Sequence, residues 1–277
     1  MNTILTSAAP GTSAPPPVQP IGKVVAVTSG KGGVGKTFVS ANLAAALAKR
    51  GMRVLVLDAD LGLANLDVVL NLYPKLTLHD AFTGKATLDE AILRAPGGFS
   101  VLLAGSGMVE YSRLTPEVRD EFLRVVHSLT PRFDVILLDT GAGISDVVLF
   151  AVSLASEVLM VATPEPTSLT DAYATIKVLI GQQQRERIRL IVNQTTRAGS
   201  GAAITRQLQQ VLDRFVVSSL GRPFGLSHLG DIPADPEVRQ AVMRRQLLLQ
   251  SQPACPASTA ITQIARSLAE KFVSKPG

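Results

Sequence analysis

The sequence predicts an α/β fold: a mostly parallel sheet with helices on both faces. Two observations carry this. From Lys23 onward, short apolar runs rich in β-branched residues alternate with helical stretches, and repeated strand–helix–strand units build a parallel sheet. Runs such as VLVLD (Val54–Asp58) and VILLD (Val135–Asp139) are unbroken rather than alternating, as strands covered on both faces must be.

In chain order, strands are expected near Val24–Thr28, Arg53–Asp58, Ser100–Ala104, Val135–Asp139, Glu157–Ala162, Arg189–Asn193 and Ser227–Ile232. Helices are expected near Lys36–Arg50, Pro116–Leu129, Ser168–Ile180, Ala203–Arg214 and Ser258–Phe272. Ser168 is placed to cap its helix, with Asp171 in the first turn. In the final helix Ile261, Ile264, Leu268 and Phe272 make an apolar stripe, the pattern of a helix packing on the core. Arg266, Lys271 and Lys275 flank that stripe, and any membrane contact through it should be weak. Residues 1–22 carry five prolines, several Ala and Ser, and no charge, so they read as a disordered tail. Residues 23–277 contain no Gly-, Ser- or Pro-rich linker and no internal repeat, and read as one domain.

Composition excludes several functions. With 46% hydrophobic and 18% charged residues the chain has the composition of a globular protein, and no apolar run is long enough to span a bilayer. The single cysteine, Cys255, cannot close an internal disulfide and is too few to carry an iron–sulfur cluster. With no secretory signal pattern at the N-terminus, a cytoplasmic protein is expected. His79, His127 and His228 lie far apart without metal-ligand spacing. Aromatics at 4%, with no Trp, argue against a stacking platform for single-stranded nucleic acid. A net charge of +5 permits an anionic partner, but no run of five Lys or Arg requires one.

Gly30-Lys31-Gly32-Gly33-Val34-Gly35-Lys36-Thr37 fits the phosphate-binding pattern G-x-x-x-x-G-K-[ST] between a predicted strand and a predicted helix. The glycines let the backbone fold tightly and turn its N–H groups inward, and the helix start favours negative charge. Lys36 would bridge the outer phosphates and Thr37 would bind Mg²⁺. Lys31 is a second cation in the same loop. The spacing leaves two roles for it: turned to solvent, or directed at a nucleotide held by a second subunit.

Asp58 and Asp60, two residues apart at the end of a strand, share a face and could reach the metal or the attacking water. Asp139 closes a four-residue apolar strand, which delivers a buried carboxylate to the magnesium shell.

KGGVGKT resembles the deviant P-loop of the MinD/ParA ATPases. The resemblance covers nearly everything from Lys23 to Phe272 and implies a P-loop NTPase domain over 23–277 that hydrolyses ATP with Mg²⁺. It implies that Lys31 reaches across a nucleotide-sandwich homodimer, acting like an arginine finger. In DADLGLANLD, similar to the first switch, Asp60 matches the residue that activates water and Asp58 one that meets Mg²⁺ through water; Asn65 lies in the same switch. DTGAGIS resembles the second switch, where Gly143 would present its N–H to the γ-phosphate; Gly141 stands where the family more often has proline. IVNQ and IPAD place Asn193, Pro233 and Asp235 at the adenine, and the guanine-reading N-K-x-D motif is missing.

DADLGLANLDVVLNL, DTGAGISDVVLF, EPTSLTDAYATIKVL and EVRQAVMRRQ look most like the flagellar-number branch called FlhG or FleN. That branch implies a slow, ATP-dependent dimerisation switch controlling flagellum number and placement through an FlhF-type GTPase or a FleQ-type transcription regulator, at the inner membrane or cell pole. Thr167, Ser168, Thr170, Asp171 and Tyr173 would offer side chains to a partner. Many such proteins carry an N-terminal D-Q-A motif that stimulates the GTPase; residues 1–22 hold none. The alternatives are a ParA-like DNA-cargo or MinD-like cell-division positioning ATPase, and a scaffold that binds ATP without turnover. The lack of a lysine-rich face speaks against direct DNA binding, and the intact Asp60 against the scaffold.

Overall fold

The computed structural model describes residues 22–61, 64–105 and 114–273. Except for Gly22, the expected tail lies outside them. Among the described residues eight strands form one sheet: β1 Lys23–Ser29, β2 Val54–Ala59, β3 Ile92–Arg94, β4 Ser100–Leu102, β5 Val135–Ala142, β6 Glu157–Ala162, β7 Arg187–Thr195 and β8 Gly225–Pro233. Their order is β3-β4-β2-β5-β1-β6-β7-β8. Every neighbouring pair is parallel except β3 with β4. The helices are α1 Lys36–Ala48, α2 Leu66–Leu70, α3 Leu78–Phe82, α4 Leu88–Ala91, α5 Pro116–Leu129, α6 Asp146–Ser153, α7 Pro166–Gln183, α8 Ser200–Leu212, α9 Ser218–Leu220, α10 Pro236–Met243, α11 Leu248–Ser251 and α12 Pro256–Val273. A π-helical turn, Asp213–Val217, joins α8 to α9.

The seven expected strands all form. β3 was not legible: three partly exposed residues carry no run long enough to signal a strand. Also unforeseen were α6, whose DVVLFAVS run mixes β-branched residues into a helix started by Ser145, and the short helices α2–α4 and α9–α11. Ser145 Oγ accepts the Val148 N–H at 3.4 Å, a side-chain cap that overrides the strand preference of valine.

Strand alternation sorts the core into two layers. Val24 and Ala26 of β1, with Leu55, Leu57, Ile136 and Leu138, pack under α5, α6, α7 and α8. Val25 and Val27, with Val54, Val56, Val135 and Leu137, pack under α1 and α12. α1 is buried around its whole circumference, from Phe38 to Leu47, because it lies between the sheet, α12 and α2. The stripe of α12 is buried in the same layer: Ile261, Ile264 and Leu268 are each at most 3% exposed.

α7 corrects one expectation. It begins at Pro166, whose missing N–H and fixed φ suit a first helical position, so Glu165 and not Ser168 is the N-cap. Ser168 is buried and its hydroxyl accepts the Thr163 N–H at 3.0 Å. It therefore holds the turn into α7 and is not offered to a partner. Thr167 and Thr170 are exposed.

At the other edge of the strands, Arg53 and Asp134 fasten the starts of β2 and β5. The guanidinium donates to Asp134 Oδ1 at 2.7 and 3.1 Å, and the Arg53 N–H donates to Oδ2 at 2.7 Å. The side-chain bond from Arg53 holds the Asp134 carboxyl below its usual range against partial burial. A depressed folded-state value adds stability that is present above the unfolded value and lost as pH falls through the folded one. The stability gap between wild type and Asp134→Asn, read by thermal unfolding, should therefore persist from neutral pH to about pH 4 and close on further acidification.

Candidate functional site

Because β1, β2 and β5 run parallel, their C-terminal ends meet at one edge, where a parallel sheet places ligands. The loop from β1 to α1 lies there. Gly35 (φ +92°) and Gly33 (φ +80°) take left-handed conformations that side chains resist. A Cβ on Gly35 would stand 2.5 Å from Asn193 Nδ2, and one on Gly30 would stand 2.2 Å from the backbone of Asp171 in α7. The loop is thus closed against both β7 and α7, while Gly32 and Gly33 face open space. Beside it lies a cavity of about 820 Å³, lined in part by Gly32, Gly33, Lys36, Thr37, Asp60 and Asn65 together with Gly141 and Ser145.

Two carboxylates sit side by side under this cavity. Asp58 and Asp139 are register partners on β2 and β5, 1% and 2% exposed. Burial raises both above the ordinary carboxylate range. For Asp58 the negative charge of Asp139 adds to the effect, outweighing the N–H groups of Asp60 and Leu66. For Asp139 the Lys36 ammonium and the hydroxyls of Thr37 and Ser40 work the other way. Asp58 Oδ1 accepts the Asp60 N–H at 3.1 Å, while its Oδ2 is buried without a partner. Asp60 stands above them: its Oδ1 is 3.4 Å from where a Gly141 Cβ would be.

This donor set fits Mg²⁺. One hydroxyl and buried carboxylates beside a phosphate loop match a cation that keeps its waters and shares phosphate oxygens. Among the described residues no three His, Cys, Asp or Glu side chains gather into an all-protein metal cage.

Lys31 does not enter the cavity. Its Nζ donates to Thr167 Oγ1 at 3.0 Å and lies 3.5 Å from Glu165 Oε2, with both charged side chains well exposed. Gly143 is engaged within the chain as well. Its N–H, assigned to a terminal phosphate, donates here to the Ser29 carbonyl at 2.8 Å.

The residues expected around adenine have other engagements. Asn193 Nδ2 donates to the Val34 carbonyl at 2.8 Å and its Oδ1 accepts the Gln194 N–H at 3.0 Å, so this side chain braces the loop. Pro233 ends β8 beside Thr195. Asp235 starts two helices at once: Oδ1 accepts the Glu237 N–H at 3.0 Å for α10, and Oδ2 the Ala257 N–H at 3.1 Å for α12. Burial opposes its ionisation, yet these N–H groups and the Cys255 thiol hold its carboxyl below the usual range. Neither Pro233 nor Asp235 lines the cavity; Val242 of α10 does. Ser40, Glu165 and Val242 join the site without having been picked out: Ser40 lies outside the quoted motifs, and Glu165 and Val242 lie in quoted stretches but the residues they join are distant in sequence.

The ParA family model, described as NUBPL iron-transfer P-loop NTPase, matches residues 20–269. The chain is 42% identical over 246 residues to the antiactivator FleN of Pseudomonas aeruginosa, covering 89% of this chain and 86% of FleN. It is 35% identical over 251 residues to the flagellum site-determining protein YlxH of Helicobacter pylori, covering 90% and 83%. Its fold superposes on the septum site-determining protein MinD of Pyrococcus horikoshii, complexed with Mg-ADP, with a TM-score of 0.72 at 27% identity, covering 92% of this chain and 100% of MinD.

Removing the Asp235 carboxylate leaves two helix starts without an acceptor. Asp235→Ala should cost about 1–3 kcal/mol of stability in nucleotide-free protein, read by denaturant unfolding. If its side chain served only a nucleotide, the cost would appear only with nucleotide bound.

Proposed function

This chain belongs to the ParA family of P-loop NTPases and is an ATPase, and from that premise we propose that it works as an ATP-driven dimerisation switch governing flagellum number and placement. The observation that carries the reading is the second loop lysine. Lys31 sits on the rim of the cavity, held by exposed bonds to Glu165 and Thr167. Such surface contacts are worth little, so the ammonium can exchange them for the phosphates of a nucleotide in a second copy.

Each site residue then has a task. Lys36 and the loop N–H groups of Gly30, Gly32, Gly33, Val34 and Gly35 hold the ATP phosphates. Thr37 and Asp139 would hold Mg²⁺, with Asp58 reaching it through water. When bound, that ion neutralises charge developing on the phosphates. Asp60, beside Gly141 in the cavity lining, orients and deprotonates the attacking water. The second switch, released from the Ser29 carbonyl, frees the Gly143 N–H for the terminal phosphate, and hydrolysis returns it. Asn193 and Pro233 support the adenine end, with Asp235 acting through the two helices it starts.

FleN and YlxH support the flagellar assignment, and the name antiactivator supports a FleQ-type transcription regulator as the partner, with an FlhF-type GTPase as the alternative. Among the described residues no helix is long and apolar enough to cross a membrane, and the apolar stripe of α12 is buried in the core.

Three variants separate the parts. Asp60→Ala should bind ATP, persist as a dimer and lose turnover by about a hundredfold or more. Lys36→Ala should fail to bind ATP. Lys31→Ala should bind ATP yet stay monomeric. Mass measurement in solution with ATP, alongside phosphate release, checks all three; a Lys31→Ala dimer with full turnover defeats the switch.

A further inference from the structure

Ser40 lies one turn into α1, 0% exposed, in a helix whose buried positions are otherwise mostly apolar. Its Oγ donates to Asp139 Oδ1 at 2.8 Å, across 99 residues of sequence. That choice of acceptor is unusual within this molecule. Thr170, Thr175, Thr205, Thr259 and Thr262 all sit near helix starts or inside helices, and each turns its hydroxyl back to the carbonyl four residues earlier. Ser40 reaches out to β5 instead.

Ser40 is also three residues after Thr37, so the two hydroxyls project from the same face of α1. The hydrogen bond to the Asp139 carboxylate comes from Ser40, while Thr37 lines the cavity. α1 thus grips that carboxylate from a residue one turn deeper than the Thr37 that would bind Mg²⁺, at a depth the cavity does not reach. A carboxylate held at one oxygen by a buried donor cannot swing between rotamers, and it presents its remaining lone pairs in a set direction.

We propose that Ser40 is a positioning residue for the magnesium site: its hydroxyl fixes Asp139 so that Mg²⁺ binds tightly, without itself touching nucleotide or metal. The inference rests on the reading of Thr37 and Asp139 as the magnesium-holding pair. It goes beyond that reading by adding a buried residue outside every motif in the chain. Were Ser40 present only to satisfy a buried carboxylate, its loss would lower stability and leave the magnesium requirement unchanged.

The test measures binding of a fluorescent ADP analogue to the full chain, first in EDTA and then along a Mg²⁺ titration. Ser40→Ala should raise the half-saturating Mg²⁺ concentration about ten- to a hundredfold. Its ADP affinity in EDTA should match wild type. Ser40→Cys keeps the volume with a much weaker donor and should show the same rise, which also carries the test if Ser40→Ala does not fold. Thr37→Ala is the control on the underlying reading: a Mg²⁺ midpoint unmoved in Thr37→Ala means the magnesium site itself is wrongly assigned. A midpoint moved in Thr37→Ala but unchanged in folded Ser40→Ala or Ser40→Cys overturns the role of Ser40 alone. Equal weakening in EDTA and in Mg²⁺ overturns it as well, since the effect would then lie in the loop.

Discussion

The placement of β1 between β5 and β6 governs the rest of the molecule. A strand covered by helices on both faces must pair along both edges, and parallel neighbours then deliver their C-terminal ends to one side of the sheet. Outward from β1 the strands are β5, β2, β4 and β3 on one side and β6, β7 and β8 on the other, so the strand order reverses at β1 and a crevice opens where α1 begins. The register puts Asp58 directly beside Asp139, two carboxylates in a dry layer facing the Lys36 ammonium. Burial makes that pair costly, and a divalent cation with phosphates is the natural counterweight. A preference for a metal-bound polyanion is thus built into the sheet before any loop moves.

The phosphate loop is held from behind as well as from below. Asn193 ties it to β7 through the Val34 carbonyl, and Gly30 allows α7 to pack directly on its first turn. The N–H groups of the loop are therefore oriented in advance. The Lys31 side chain and the Gly143 N–H make exchangeable contacts, with exposed side chains in one case and the Ser29 carbonyl in the other. A loop fixed from behind thus lies beside groups whose contacts can be exchanged at little cost.

Legibility followed distance along the chain. The strands VLVLD and VILLD, the glycine loop and the carboxylates at strand ends were readable, because each pairs a local pattern with a local geometry. Ser40 was not, since its partner is 99 residues away and a serine in an alanine-rich helix has no signature of its own. Glu165 was missed for the same reason, its partner Lys31 being 134 residues distant. Asn193 and Asp235 were identified through resemblance as base-contacting residues, yet their side chains bond to the chain's own backbone; a motif marks where a residue sits, and long-range hydrogen bonds decide what its atoms touch. β3 and the four- and five-residue helices were too short for periodicity to register.

The two borders of the sheet have a consequence for self-association. On one side β3 is three residues long, antiparallel and finished by Arg94. On the other, β8 ends in proline and slips register against β7 at two points. Short, kinked, charged or proline-tipped borders make poor templates for a neighbouring chain. Runaway strand-to-strand polymerisation into fibres is discouraged at both ends, so the long, mostly parallel sheet can stand at the centre of the fold without offering its margins as a seed.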